Sequence, residues 1–458
     1  PNDFTQNIGN GSYSTADSYV KQVWDGRYTG IRMCNQLLEN IDRVPDLDPE
    51  LKKRYIGEAK VLRAYSYYEL YTKFGDIPYT TKVLSIKESM SIARTAKATV
   101  IANVLADLDE VINGNYLPTS YDADNKGRIT RWAAMAIKAK IYLFEGNWTQ
   151  VKNITSTIMT EGGFKLFGSY VGLFEIANEY NSEVILDAQY RPTSREHQMM
   201  YVFLPPTLGG YSQLSPLQEL VDSYIMLDGK TIKETGTSFD ESHPYANRDP
   251  RLKATVMYTG NSYTLADGTE VVINCEKGEG KDGYGVGSDC SATGYYIKKY
   301  WDNTYRATLY SGLNPILIRY ADILLMNAEA LAELGELDKT AWDATIKPIR
   351  DRAGFTLASA LEFPEGASKD KLIEIVRNER RSELALEGHR HKDIIRWRIA
   401  DNVLNGWCHG LKTNDVVGTD DGYVRVENRT FNANKHYLWP IPQAERDLNG
   451  NLEQNPNW

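Results

Sequence analysis

Three glutamates at four-residue spacing, Glu379, Glu383 and Glu387, fall on one face of a helix-forming run, where like charges cost stability unless something answers them. Arginines are the available answer: Arg377 and Arg381 flank the row, Arg380 precedes Glu383 by three residues, and Arg390 follows the break at Gly388. The cluster admits two kinds of chemistry. Paired carboxylates can cleave a glycosidic bond when one is protonated and the other ionised. Three carboxylates among guanidiniums should instead all stay ionised, which suits a clamp on a helix end better than a general acid.

A second set of residues could bind rather than react. The chain of 458 residues carries 30 tyrosines and nine tryptophans, and tyrosine offers a rigid apolar face with a polar tip. A sugar ring needs that mixture, a C–H face to stack and hydroxyls to satisfy. Many of these rings must be core. The candidates for a ligand surface are those in glycine-rich or polar loops: Tyr13 with Asn7 and Asn10, Tyr211 after Gly209-Gly210, Tyr284 within the glycine run, and Trp301, Tyr305, Arg306 and Tyr310 beyond it.

Other constellations fail on spacing. The run Gly278 to Gly287 lacks the Lys-Ser/Thr pair and following helix of a phosphate cradle and reads as a flexible loop. Asp122-Ala123-Asp124-Asn125-Lys126-Gly127 opens like a calcium loop, but Lys126 and Ala133 stand where ligands belong, so it reads as a turn before a helix capped by Thr130. His389 and His391 lack a third ligand at zinc-like spacing and lie among arginines. No nucleophile elbow occurs. Cys275 and Cys290 bracket the glycine run, whose ordering a crosslink would favour, and are expected to form a disulfide in an oxidising compartment. Cys34 and Cys408 read as buried thiols.

A 42% hydrophobic content over this length supports a large core, and a formal charge of -9 gives no footprint for nucleic acid. No run of 18 apolar residues suggests a membrane span. Apolar residues recur at helical spacing from Tyr19 to Ile41, Leu51 to Phe74, Val100 to Ile112 and Trp132 to Phe144. Ala133 to Met159, turning at Gly146-Asn147-Trp148, and Leu324 to Ile349, turning at Gly335, are similar to tetratricopeptide hairpins. The middle of the chain holds short β-prone runs: Val184 to Tyr190, then Lys253 to Tyr258 and Glu270 to Asn274 joined through a turn at Ala266-Asp267-Gly268. A further hairpin is expected around Asp420-Asp421-Gly422. Long aromatic loops between them are where binding should be sought.

The acidic run carries one more kind of information. Its order, Arg377, Glu379, Arg380, Glu383, Leu384, Glu387, Gly388, Arg390, Asp393, Arg396 and Trp397, resembles the C-terminal motif of the SusD/RagB family, nutrient-binding lipoproteins of the Bacteroidetes outer membrane. Gly57 to Tyr65 with Phe74-Gly75-Asp76-Ile77-Pro78, Leu220 to Tyr224 with Asp228-Gly229-Lys230, Arg248 to Leu252, Arg319 to Leu325, and Gln454 to Trp458 resemble other family blocks in family order. The resemblance implies a mainly α fold, a right-handed solenoid of tetratricopeptide-like hairpins with an irregular portion of loops and short β-hairpins. Within one domain spanning 1–458, residues 1–163 and 316–400 would form the helical scaffold, and 164–315 and 401–458 the loop-rich ligand-binding portion.

It further implies a non-enzymatic protein that captures oligo- or polysaccharide and passes it to a SusC-like TonB-dependent transporter, anchored by an N-terminal lipid outside the sequence given and facing the cell exterior. Pro1-Asn2-Asp3-Phe4 reads as loop interior, the expectation for a processed, truncated or incompletely numbered chain. No cofactor is expected, although some family members hold a structural calcium ion. Peptide uptake, as in some relatives, and glycoside hydrolysis by Glu379, Glu383 and Glu387 remain the alternatives.

Overall fold

The computed structural model describes residues 5–304 and 309–458. It divides into two compact units, one made chiefly of Met159–Arg390 and Gly406–Asn428, the other of Asn2–Ile158, His391–Asn405 and Arg429–Trp458. The described residues are mainly helical, with short antiparallel strand pairs and one three-stranded sheet. Among them no helix is long and apolar enough to cross a membrane.

In the second unit the helices predicted by apolar spacing pack in succession: Ser18–Asn40 on Pro49–Phe74, that helix on Lys97–Asn113, and the latter on Arg131–Phe144. Local chemistry sets their starts. Asp17, Asp48 and Thr130 each accept a backbone N–H of the first turn, satisfying donors the helix itself cannot reach. The hairpin Arg131–Phe144 and Trp148–Glu161 turns at Gly146, whose φ of 70° is left-handed.

The first unit contains the other expected hairpin, Tyr320–Leu334 and Lys339–Ala353, with Gly335 left-handed between them. Both pack on Lys369–Glu383, around an apolar cluster that includes Leu324, Leu325, Trp342, Ile346 and Val376. A second apolar cluster, with Val221, Leu252, Tyr263, Tyr295 and Tyr296 fully enclosed, underlies the loops of this unit.

The β-prone runs pair differently from the sequence expectation. Lys253 lies in a helix, Pro250–Thr255, because Asp249 caps it and Pro250 occupies its first turn. Val256–Met257 then pairs with Tyr296–Ile297, while Glu270–Val272 pairs with Ser262–Thr264 around the turn at Ala266-Asp267-Gly268. The hairpin at Asp420-Asp421-Gly422 forms as expected, with Thr419 opposite Val424 and Asp420 opposite Tyr423.

Candidate functional site

The acidic row is a buried clamp. Its helix ends at Glu383, and Leu386 at a φ of 64° turns the chain so that Glu387 returns toward the same cluster. All three carboxylates are enclosed, and their partners come from elsewhere in the first unit. Arg251 reaches Glu383 at 2.8 Å and Glu379 at 2.7 Å. Arg319 reaches Glu383 at 2.6 Å and Glu387 at 2.7 Å. Arg350 pairs with Glu379 at 2.7 Å, Arg352 with Glu383, and Lys299 with Glu387 at 2.6 Å.

The neighbouring arginines Arg377, Arg380 and Arg381 have partners of their own. Arg377 and Arg381 stand two residues from Glu379, across the helix from it, and go instead to Glu333 and the Glu219 carbonyl. Arg380 pairs with Asp322 at 2.5 Å. Beyond the turn, Arg390 opens the helix Arg390–Arg396, where Arg396 holds Asp393 at 2.9 Å in the second unit and stacks over Trp397.

Electrostatics removes the acid–base reading. Burial alone would raise the Glu383 carboxyl, but Arg352, Arg319 and Arg251 hold it well below the usual carboxylate range. Glu379 and Glu387 are lowered by Arg251 with Arg350 and by Arg319 with Lys299, against the same effect of burial. Burial pushes Lys299 down to about 8 despite Glu387. All three carboxylates are held toward the ionised form, the wrong state for a general acid.

The loop aromatics fall into separate places. Tyr211 stacks on Tyr201 with ring centroids 4.2 Å apart and planes 29° from parallel, and its N–H donates to the Tyr201 carbonyl at 3.0 Å. Gly209, at a φ of 83°, makes the turn that folds Tyr211 back onto the short helix Met199–Phe203. Tyr310 joins this patch through Gln198 at the start of that helix, whose amide donates to the Tyr310 hydroxyl at 2.8 Å. Tyr211 and Tyr310 are 39% and 43% exposed. Tyr201 and Gln198 were not singled out in sequence, because Met199–Phe203 reads as an apolar core run. Tyr305 and Arg306 lie outside the described residues.

Trp301 is half-buried. Its indole N–H donates to the Thr264 carbonyl at 2.8 Å, its ring meets Tyr263 edge-on, and it borders a cavity of about 390 Å³ with Lys298 and Asn303. Tyr284 is also half-buried. Tyr284, Trp301 and Leu309, beside Tyr310, all pack on the apolar cluster beneath the loops, so one core supports three of the candidate segments.

Three sequence expectations are corrected. Tyr13 is only 5% exposed: Gly11 turns the chain left-handed after a short helix, and the ring inserts against Trp458 and His436 in the second unit. Asn10 closes that turn, its side-chain oxygen accepting the Ser12 N–H and its carbonyl the Thr430 N–H. Cys275 and Cys290 are free thiols. Cys275 fills a place in the apolar cluster, where burial pushes its thiol up to about 12, whereas the Cys290 sulfur lies 3.3 Å from the Lys281 carbonyl. The expectation of an oxidising compartment loses its support with the bridge.

Asp122 accepts the Asn125 backbone and side-chain N–H groups as the cap of a single helical turn. Among the described residues no group of three or more His, Cys, Asp or Glu is arranged to hold a metal.

Comparison with known proteins agrees with this architecture. Residues 173–458 match the SusD family model, and residues 2–143 match a model described as starch-binding associating with outer membrane. A SusD-like carbohydrate binding protein from Bacteroides fragilis, known from its crystal structure, is 29% identical with a TM-score of 0.88, covering 99% of this chain and 90% of that one. SusD-like protein P25 from Formosa agariphila is 27% identical over 84% of this chain and 71% of its own, and SusD-like protein P2 from the same organism 26% identical over 99% and 82%. With its mainly helical hairpin scaffold, its clamp motif and a family match over more than half its length, the chain belongs to the SusD family, a carbohydrate-binding family associated with the outer membrane.

Proposed function

We propose that this protein captures oligo- or polysaccharide at the outer cell surface, held there by an N-terminal lipid, and hands it unbroken to a SusC-like TonB-dependent transporter. The observation that carries the reading is the tyrosine patch of the first unit. A stacked pair, Tyr201 and Tyr211, stands beside Tyr310 and Gln198, joining exposed ring faces to amide and hydroxyl groups. Stacking binds a sugar's C–H face, while hydroxyls and amides replace the water its own hydroxyls lose. The carbohydrate binding named for the Bacteroides fragilis relative supports the same ligand class.

The clamp supports holding without cleaving, since its carboxylates are enclosed and held toward the ionised form. Affinity electrophoresis tests the reading. Migration should be retarded in a native gel containing the cognate polysaccharide, and Tyr211→Ala and Tyr310→Ala should each weaken retention by about 1 to 3 kcal/mol. Reducing ends should not accumulate when protein and polysaccharide are incubated together; their appearance would overturn the non-hydrolytic reading.

A further inference from the structure

A cavity of about 640 Å³ lies in the first unit between the glycine-rich segment 275–291 and the hairpin of strands Thr419–Asp420 and Tyr423–Arg429. Its volume falls in the range of roughly 300 to 1,000 Å³ typical of small-molecule sites. Tyr284 lines it, with Ser288, Ser291 and Thr419.

The glycine run is pinned rather than loose on this side. The Tyr284 N–H donates to the Cys275 carbonyl at 3.2 Å, and the Tyr284 carbonyl accepts the Gly278 N–H at 3.0 Å. Asp282 is buried; its carboxylate accepts the Thr207 N–H at 2.8 Å and its carbonyl accepts the Tyr296 hydroxyl at 2.6 Å. Tyr284 is therefore held in place before any ligand arrives, which lowers the entropy a ligand must overcome.

The charges at the cavity are mutually satisfied. Lys277 on one wall pairs with Asp415 on the other. Arg425 donates from Nε to Asp420 at 2.9 Å, and Asp420 also meets His409 Nε2 at 3.0 Å. These pairs are exposed and individually weak, but an anionic ligand would still have to take Lys277 or Arg425 from its carboxylate and leave that carboxylate beside the ligand's own charge; a cationic ligand meets the converse obstacle. Glu276, Glu279 and Asp289, exposed on the same glycine-rich segment, add further repulsion for anions.

Resting on the carbohydrate-binding reading, we propose that this cavity is a subsite for uncharged saccharide, with Tyr284 as its ring-stacking face and uronate and amino sugars disfavoured. Cys290 also lines the cavity and supplies the reporter, since Cys34, Cys275 and Cys408 are buried.

The test titrates the full chain with neutral gluco-, xylo- and manno-oligosaccharides, with oligogalacturonate and with chitosan oligosaccharides, following binding heat and the rate of Cys290 modification by a thiol reagent, with Cys290→Ser as the blank. At least one neutral series should bind about tenfold or more tighter than either charged series and slow the thiol reaction at least about threefold, and Tyr284→Ala should lose about tenfold in affinity. Asp415→Asn, which frees Lys277, should raise oligogalacturonate affinity. Equal binding of a charged series overturns the proposal. Neutral binding that leaves Cys290 unprotected and Tyr284→Ala silent overturns the subsite alone, whereas no saccharide binding at all overturns the reading beneath it.

Discussion

Glu383 is the residue on which the clamp turns, because three guanidiniums from three different segments converge on it. Glu383→Ala leaves those charges buried and uncompensated, and should destabilise the protein by about 3 to 5 kcal/mol in urea or thermal unfolding. Glu383→Gln keeps the volume but not the charge and should recover only part of that loss. Acid acts on the same groups. Carboxyls lowered in the folded state contribute stability that is present above their unfolded values and lost as pH falls through the folded ones, so the clamp weakens only below about pH 4.5. His391, in the second unit, responds earlier. Burial, then Lys73 and Lys392, push its imidazole down to about 4 from an ordinary 6.5. The unfolded chain therefore takes up that proton first, and stability should fall between about pH 6.5 and 4, a slope that His391→Gln should flatten when urea midpoints are measured across this range. The spacing of the glutamates and the shortage of acid–base asymmetry were legible in sequence. Their true partners were not, since Arg251, Arg319, Arg350 and Arg352 are brought in by tertiary packing that no local period encodes.

Elements were legible where a period ran long enough. Ser18–Asn40 and Lys339–Ala353 bury one stripe each behind the caps Asp17 and Asp338. Tyr320–Leu334 and the second half of Pro49–Phe74 are instead enclosed on nearly every face, and are marked by the length of their apolar runs and by the glycines that end them. Strands of two to four residues carry too little pattern to declare a partner, which is why Glu270–Val272 was matched with the wrong run. Gly146 and Gly335 announce their hairpin turns, but two other left-handed glycines were hidden: Gly11 buries Tyr13, and Gly294 lets the strand Gly406–Lys412 close over it. A Cβ on Gly294, already at a φ of 74°, would overlap Leu411, and Leu411 also donates its N–H to the Thr293 carbonyl at 2.7 Å. Gly294→Ala should therefore lower stability by about 1 to 3 kcal/mol in thermal unfolding. A neutral outcome would mean the strand can shift away without loss.

For the molecule as a whole, fold and family rest on motifs spread from Gly57 to Trp458, while the ligand surface rests on loop residues whose exposure is decided by packing. Tyr13, Tyr211 and Tyr284 look alike in sequence, each beside glycine and polar residues; one is core, one stacks at the surface and one lines a cavity. The difference lies in what each loop folds back upon. The most direct measurement is calorimetric titration of the protein against a panel of polysaccharides and a mixed peptide digest. The account predicts saturable heat with at least one polysaccharide, weakened by Tyr211→Ala, and none with the peptides; saturable binding of peptides with no polysaccharide response would contradict it.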